Sequence, residues 1–110
     1  MENKLDLETV NVLKEALGEE FSSLIDVFLS DAPKRILEIR ECFAAGDIAS
    51  VEMPVHTFKG SSGNIGAIAL SQACAVLLDA VKAGDSSNIE QLISDIQIEF
   101  DIVKALFEAM

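Results

Sequence analysis

The sequence has no tryptophan and no tyrosine, and among its 110 residues there are only one histidine, two prolines and two cysteines. Cys42 and Cys74 form no Cys-x-x-Cys pair, and a single histidine cannot complete a metal site with them. Each cysteine falls within an apolar helical stripe, so we interpret both as small buried residues rather than redox groups or ligands. A chain of this length makes one domain, residues 1–110, that needs no metal or disulfide to hold it.

Basic residues are also scarce, with 8 lysines and arginines against 19 aspartates and glutamates and a net charge of −11. Such a charge repels phosphate backbones and anionic lipid surfaces, so neither a nucleic-acid partner nor a membrane partner is expected. No apolar run approaches the ~20 residues that span a bilayer. The N-terminus, Met1-Glu2-Asn3-Lys4, lacks the basic and apolar regions of a secretory signal, and we expect a cytoplasmic protein.

Apolar residues recur at intervals of three and four along most of the chain, which predicts helices. Asp6 and Gly18 are typical of the start and end of a short first helix. The motifs Ala45-Gly46-Asp47 and Ala83-Gly84-Asp85 each combine a glycine stop with an aspartate start, and Ser87-Asn88-Ile89-Glu90 has the pattern of a capping box. The longer helices are predicted over 19–45, 47–62, 66–83 and from about 87 almost to 110, with a turn at 63–66.

Alternation of apolar and polar residues with period two is absent, so a sheet is not expected. Four amphipathic segments with short connections predict an all-α fold, an antiparallel up-down-up-down four-helix bundle with a short extra N-terminal helix across one end. Pro33 lies inside the second helix and predicts either a kink near Leu29 or a restart capped by Asp31.

The segment from His56 to Ala67 contains the only histidine and three of the six glycines. On a helix, Lys59 and Gly60 lie one turn beyond His56 on the same face, and Gly63 lies two turns beyond. The opposite face is apolar and should be buried, which would point the imidazole outward. Its members are Val51, Val55, Phe58, Ser62, Ile65 and Ala69.

This segment resembles the signature of histidine-containing phosphotransfer (HPt) domains, and it reads here His56-x-x-Lys59-Gly60-Ser61-Ser62-x-x-x-Gly66-Ala67. The resemblance implies a four-helix phosphocarrier in which His56 accepts a phosphoryl group from the aspartyl phosphate of a response-regulator receiver domain and passes it to another receiver. It also implies a hybrid sensor histidine kinase as a partner, a monomer, no autonomous kinase activity and no cofactor, with Mg²⁺ brought by the receiver.

The residues fit that chemistry. A neutral imidazole carries a free lone pair that can attack phosphorus, and the Lys59 ammonium would offset the charge of the resulting phosphoryl group. Gly60 and Gly63 would leave clearance for the partner's loops. The glycine spacing matches neither of the common phosphate-binding loops, GxxxxGK[ST] and GxGxxG, and nucleotide binding is not expected.

Two positions depart from the family pattern. Pro54 lies deep in the predicted helix and predicts a kink two residues before His56. Leu78 stands 22 residues after His56, where family members often carry a Glu or Gln that can hydrogen-bond the ring; water or Asp79 could substitute. We expect Leu78 and Met53, with residues of the first helix, to form an apolar rim on which a receiver docks. These departures leave open an alternative, an HPt-like adaptor that binds receiver or kinase domains without phosphotransfer.

Overall fold

The computed structural model describes residues 4–110, and all regular structure in that range is helical. The predicted all-α class is therefore confirmed. None of these helices combines the length and apolar character needed to cross a membrane. The predicted absence of a secretory signal rests in part on residues 1–3, which lie outside the described range. The elements are α1 (Leu7–Leu17), α2 (Glu20–Ala44), a 3-10 turn (Ile48–Val51), α3 (Glu52–Asn64), α4 (Ile68–Lys82) and α5 (Ile89–Glu108).

The first two helices begin and end close to their predicted limits. The Asp6 carboxylate accepts hydrogen bonds from the backbone N–H and the hydroxyl of Thr9, and Gly18 ends α1 with a φ of +54°. Helix α2 continues through Pro33 as one element, so the predicted restart capped by Asp31 is wrong. The Asp31 carboxylate instead lies 3.4 Å from Arg35, one turn along the same helix.

The helix that carries His56 begins five residues later than predicted. The Asp47 carboxylate accepts from the backbone N–H of Ser50 and caps the 3-10 turn, so that α3 begins only at Glu52. Pro54 therefore lies in the first turn of α3, where backbone N–H groups have no acceptor within the helix. The kink predicted at Pro54 assumed a position in the interior of the helix, so it is not expected in the first turn.

The connections at the two ends of α4 differ in how well the sequence predicts them. Helix α3 ends two residues beyond the predicted limit, so the predicted turn at 63–66 begins later, and Gly66, with a φ of +83°, follows in the left-handed conformation. The backbone N–H of Ala67 donates to the carbonyl of Ser62 at 2.9 Å, which closes the helix end. The capping box at 87–90 is wrong: the Ser87 hydroxyl donates to Asp85 at 2.6 Å, and α5 begins without a side-chain cap.

The core lies between the four longer helices, where α2 packs on α3 and α5, and α4 packs on α3 and α5. Phe28 joins three of them, because its ring centroid lies 6.1 Å from that of Phe58 on α3 and 6.3 Å from that of Phe100 on α5. Both cysteines are free thiols, with Cys74 buried and Cys42 half-buried. Helix α1 packs on α2.

Candidate functional site

The rotation of α3 about its axis is set by its apolar face. Val55 and Ser62 are fully buried, and Phe58 is 1% exposed and stacked on Phe28. Large side chains fixed on one face leave the other face in solvent, since a helix turns by about 100° per residue. His56 and Lys59 accordingly lie on the exposed face, as the stripe predicts.

Helices α3 and α4 run antiparallel, and their contacts define which residues lie opposite each other. Near the turn, the Ser71 hydroxyl donates to the backbone carbonyl of Lys59 at 3.1 Å. Farther from the turn, Glu52, Met53 and His56 of α3 line one groove together with Leu78 and Lys82 of α4. A residue one turn nearer the N-terminus of α3 therefore lies beside a residue one turn nearer the C-terminus of α4.

His56 lies in a shallow groove of about 260 Å³ between α3 and α4. Its lining residues are Glu52, Met53, His56, Leu78 and Lys82. Leu78 is only 4% exposed and belongs to the core, whereas Met53 is 68% exposed. Leu78 thus lies beneath the groove and is not part of an exposed rim as predicted, and no residue of the first helix lines this groove.

Lys59 lies on the same exposed face of α3, one turn beyond His56. It makes no ion pair or side-chain hydrogen bond with another residue in the described range, 4–110. Burial raises the pKa of the Cys74 thiol on α4 to about 12, and the nearby Lys59 ammonium acts in the opposite direction. The Lys59 ammonium is thus near enough to the Cys74 thiol of α4 to act on its pKa, and it pairs with no carboxylate in the described range.

The two glycines of the predicted clearance have different surroundings. A Cβ built on Gly60 would meet no atom within 4 Å, so the fold itself gives no reason for a missing side chain. A Cβ on Gly63 would lie 3.4 Å from the Ser71 hydroxyl, an ordinary contact with α4. Gly60 therefore leaves open space on the exposed face next to Lys59. Gly63 lies at the interface of the two helices.

The site residues predicted from the sequence do not include two charged residues of the groove, Glu52 and Lys82. Glu52 precedes His56 by four residues, and this spacing is a signal that the sequence already contains. Lys82 follows His56 by 26 residues, and only the pairing of α3 with α4 brings it to the groove. Asp79, considered as a substitute partner for the ring, is exposed and does not line the groove. Within residues 4–110 no three His, Cys, Asp or Glu side chains cluster as metal ligands would.

Comparison with known proteins gives a consistent result. The family model of the Hpt domain matches residues 23–108. The crystal structure of histidine-containing phosphotransfer protein B (HptB) from Pseudomonas aeruginosa PAO1 is 30% identical in sequence, with a TM-score of 0.94 over 99% of this chain and 95% of that one. A proposed histidine-containing phosphotransfer protein from rice has the same fold, with a TM-score of 0.88 at 20% identity, over 97% of this chain and 79% of that one. Curated protein sequences give no significant match.

Proposed function

The chain belongs to the Hpt domain family, and we propose on this basis that it is a phosphorelay intermediate whose phosphoacceptor is His56. Members of this family act as phosphocarriers in two-component signalling rather than as kinases. The observation that carries the assignment to His56 is its position: it is the only histidine of the chain and is exposed on α3 one turn from Lys59.

The chemistry follows from a neutral imidazole. The lone pair of one ring nitrogen attacks the phosphorus of an aspartyl phosphate on a receiver domain, in line with the oxygen that leaves. The N–P bond forms as the P–O bond breaks, and the aspartate departs as a carboxylate. The attacking nitrogen carries no proton, and the proton on the other ring nitrogen is retained or released to solvent according to pH. The reverse reaction passes the phosphoryl group to the aspartate of another receiver.

Lys59 has the charge and the position to stabilise the phosphorylated state. A phosphoryl group on His56 adds negative charge to a chain whose net charge is already −11. The Lys59 ammonium lies one turn away with no carboxylate partner in residues 4–110, so it can contact that group without first breaking an ion pair.

Gly60, Gly63 and Met53 form the surface that we assign to the partner. Gly60 leaves space on the exposed face of α3, and Gly63 continues that low surface toward α4. Met53 adds a flexible apolar contact with 68% of its surface exposed. Leu78 contributes indirectly by supporting the groove from below.

The partners in this proposal are receiver domains and a hybrid sensor histidine kinase. The receiver supplies the phosphoryl-bearing aspartate and the Mg²⁺ that such transfers require. The carrier itself is proposed to act as a monomer without kinase activity of its own.

The proposed bundle has its four long helices alternating up and down. Three features support this arrangement: the closed set of neighbours α2–α3–α4–α5, the short connections, and the antiparallel pairing of α3 with α4.

The test is transfer of labelled phosphate from a phosphorylated receiver. The expected product is label on this chain that is lost in acid and retained in alkali, as a phosphoramidate should be. Because His56 is the only histidine, the variant His56→Gln removes every possible phosphohistidine and serves as the control.

Label that persists on His56→Gln would contradict the assignment of the phosphoacceptor. Binding to receivers without any label on the wild-type chain, across a panel of purified receivers, would instead favour the non-catalytic adaptor.

A further inference from the structure

We propose that Lys82 is a second phosphoryl-binding cation at His56, opposed across the groove by Glu52, and that this pair sets how strongly the chain holds its phosphoryl group. The inference rests on the proposed function, because it concerns the phosphorylated state of His56. It assigns a role to two residues that the family signature around His56 does not contain.

The first support is geometric. Leu78 and His56 line the same groove between α3 and α4, and Lys82, which also lines it, lies one turn farther along α4 on the same face as Leu78. Glu52 lies one turn before His56 on α3. Because the two helices are antiparallel, Glu52 and Lys82 are brought to the same end of the groove, on either side of it and next to the imidazole.

The second support is electrostatic. Only 8 of the 110 residues are basic, and two of them, Lys59 and Lys82, flank the single histidine. In the described part of the chain Lys82 has no ion pair or hydrogen bond through its side chain, and neither has Glu52. Both charges are therefore available to respond to a new charge on His56.

The third support is the environment between them. Leu78 closes the bottom of the groove with an apolar side chain, and Met53 lines its edge. Charges beside an apolar surface are screened less than charges surrounded by water. A phosphoryl group on His56 would thus be attracted by Lys82 and repelled by Glu52, while Lys59 acts from the other side of the ring.

Lys82 also has an ordinary structural role, since a cation in the last turn of a helix stabilises the helix end. That role changes the stability of α4 and leaves the phosphoryl group unaffected. A measurement made on the phosphoryl group itself therefore separates the two.

The experiment uses phosphoramidate, a small donor that needs no partner protein. An imidazole nitrogen of His56 attacks its phosphorus, the N–P bond of the donor breaks, and ammonia leaves with the proton released by the ring. Titration of the loaded protein by ³¹P NMR then gives the second pKa of the phosphoryl group, which a neighbouring cation lowers and a neighbouring carboxylate raises.

We expect Lys82→Gln to raise that pKa by about 0.3–0.7 and Glu52→Gln to lower it by a similar amount. Either shift is a two- to fivefold change in proton affinity, or about 0.4–1 kcal/mol, within the range of exposed charge pairs. Lys82→Arg should restore the wild-type value. The matched controls are Lys104→Gln and Glu15→Gln, which change net charge equally. Lys104 is exposed on α5, about 22 Å along the helix from its first residue, Ile89, and Glu15 is exposed on α1; neither lines the groove.

The proposal is overturned if Lys82→Gln and Lys104→Gln give the same titration, or if Glu52→Gln shifts it in the same direction as Lys82→Gln. This failure is distinct from failure of the proposed function. A chain that is loaded by phosphoramidate, titrates as expected and yet exchanges no phosphate with receivers would support the groove and contradict the relay.

Discussion

At the scale of single residues, Cys74 is a buried side chain close to the site. Its side chain is fully buried on α4, and burial raises the pKa of its thiol from 9.0 to about 12, against the lowering effect of Lys59. A thiol with a raised pKa stays protonated in the folded chain while the same thiol ionises in the unfolded chain. Its contribution to stability is therefore intact below pH 9 and is lost as the pH rises from 9 toward 12.

We expect the free energy of unfolding to fall more steeply above pH 9 in the wild type than in Cys74→Ala, by up to about 1.4 kcal/mol per pH unit. Urea unfolding at pH 8.0, 9.5 and 10.5 measures the difference. The comparison between the two proteins removes the contributions of the lysines, which titrate in both. Parallel slopes would show that the buried thiol does not govern the alkaline limit.

Gly60 is unusual at the scale of the element, because it lies inside α3 rather than at an end. Glycine in a helix interior is less favourable than alanine by roughly 0.5–1 kcal/mol, and here no neighbouring atom requires its small size. The fold therefore carries a cost at this position without a packing reason for it. Access by a partner is a reason that lies outside the fold.

This leads us to expect that Gly60→Ala raises the free energy of unfolding by about 0.5–1 kcal/mol, and that Gly60→Arg remains folded but loses phosphotransfer from a receiver. Thermal unfolding and the labelling assay measure the two effects. Ala105→Arg, on the exposed side of α5, is a control for the added arginine and should transfer normally. A normal transfer rate in Gly60→Arg would remove the clearance argument.

The elements were predictable where one physical signal acted alone. Periodicity located the buried face of α3 because Val55, Phe58 and Ser62 repeat at helical spacing. The start of α3 was misplaced because Asp47 does act as a cap, but for a 3-10 turn that precedes the helix. At α5 a capping box would require the Ser87 hydroxyl oxygen to accept from a backbone N–H, but the hydroxyl instead donates to Asp85.

The candidate site shows the same division. The resemblance to the HPt signature singles out His56 and Lys59, spacing within one helix places them on one face, and their exposure follows from the opposite stripe. Leu78 was assigned to an exposed rim, because helical phase gives a direction but not how closely the neighbouring helix approaches. Lys82 could not be found from periodicity alone, since its distance from His56 depends on the register between α3 and α4.

At the scale of the whole molecule, the N-terminal segment is attached to the bundle where α1 meets the α3–α4 turn. The backbone N–H of Asp6 donates to the carbonyl of Gly66 at 2.7 Å, and Lys4 pairs with Glu99 of α5 at 2.9 Å. A Cβ on Gly66 would lie 3.0 Å from a methyl carbon of Val10 and 3.1 Å from the carbonyl oxygen of Asp6. This glycine is required both by its φ of +83° and by the close approach of α1.

Gly66→Ala should therefore destabilise the fold more than Gly84→Ala. Both positions have a positive φ, which costs an alanine roughly 1–2 kcal/mol, but only Gly66 has atoms within 4 Å of the added carbon. We expect a further loss of about 1–3 kcal/mol at Gly66 from overpacking, measured by urea unfolding of the two variants. Equal losses would mean that α1 moves aside without cost.

The position of the groove between two consecutive helices has a consequence for how such a carrier diversifies. Every side chain to which we assign a part in handling phosphate comes from α3 or α4, a contiguous hairpin of residues 52–82. The outer surfaces of α1, α2 and α5 contribute none of these side chains. A substitution confined to those surfaces therefore leaves the reactive hairpin unchanged, so the chain can vary there without altering the chemistry at His56.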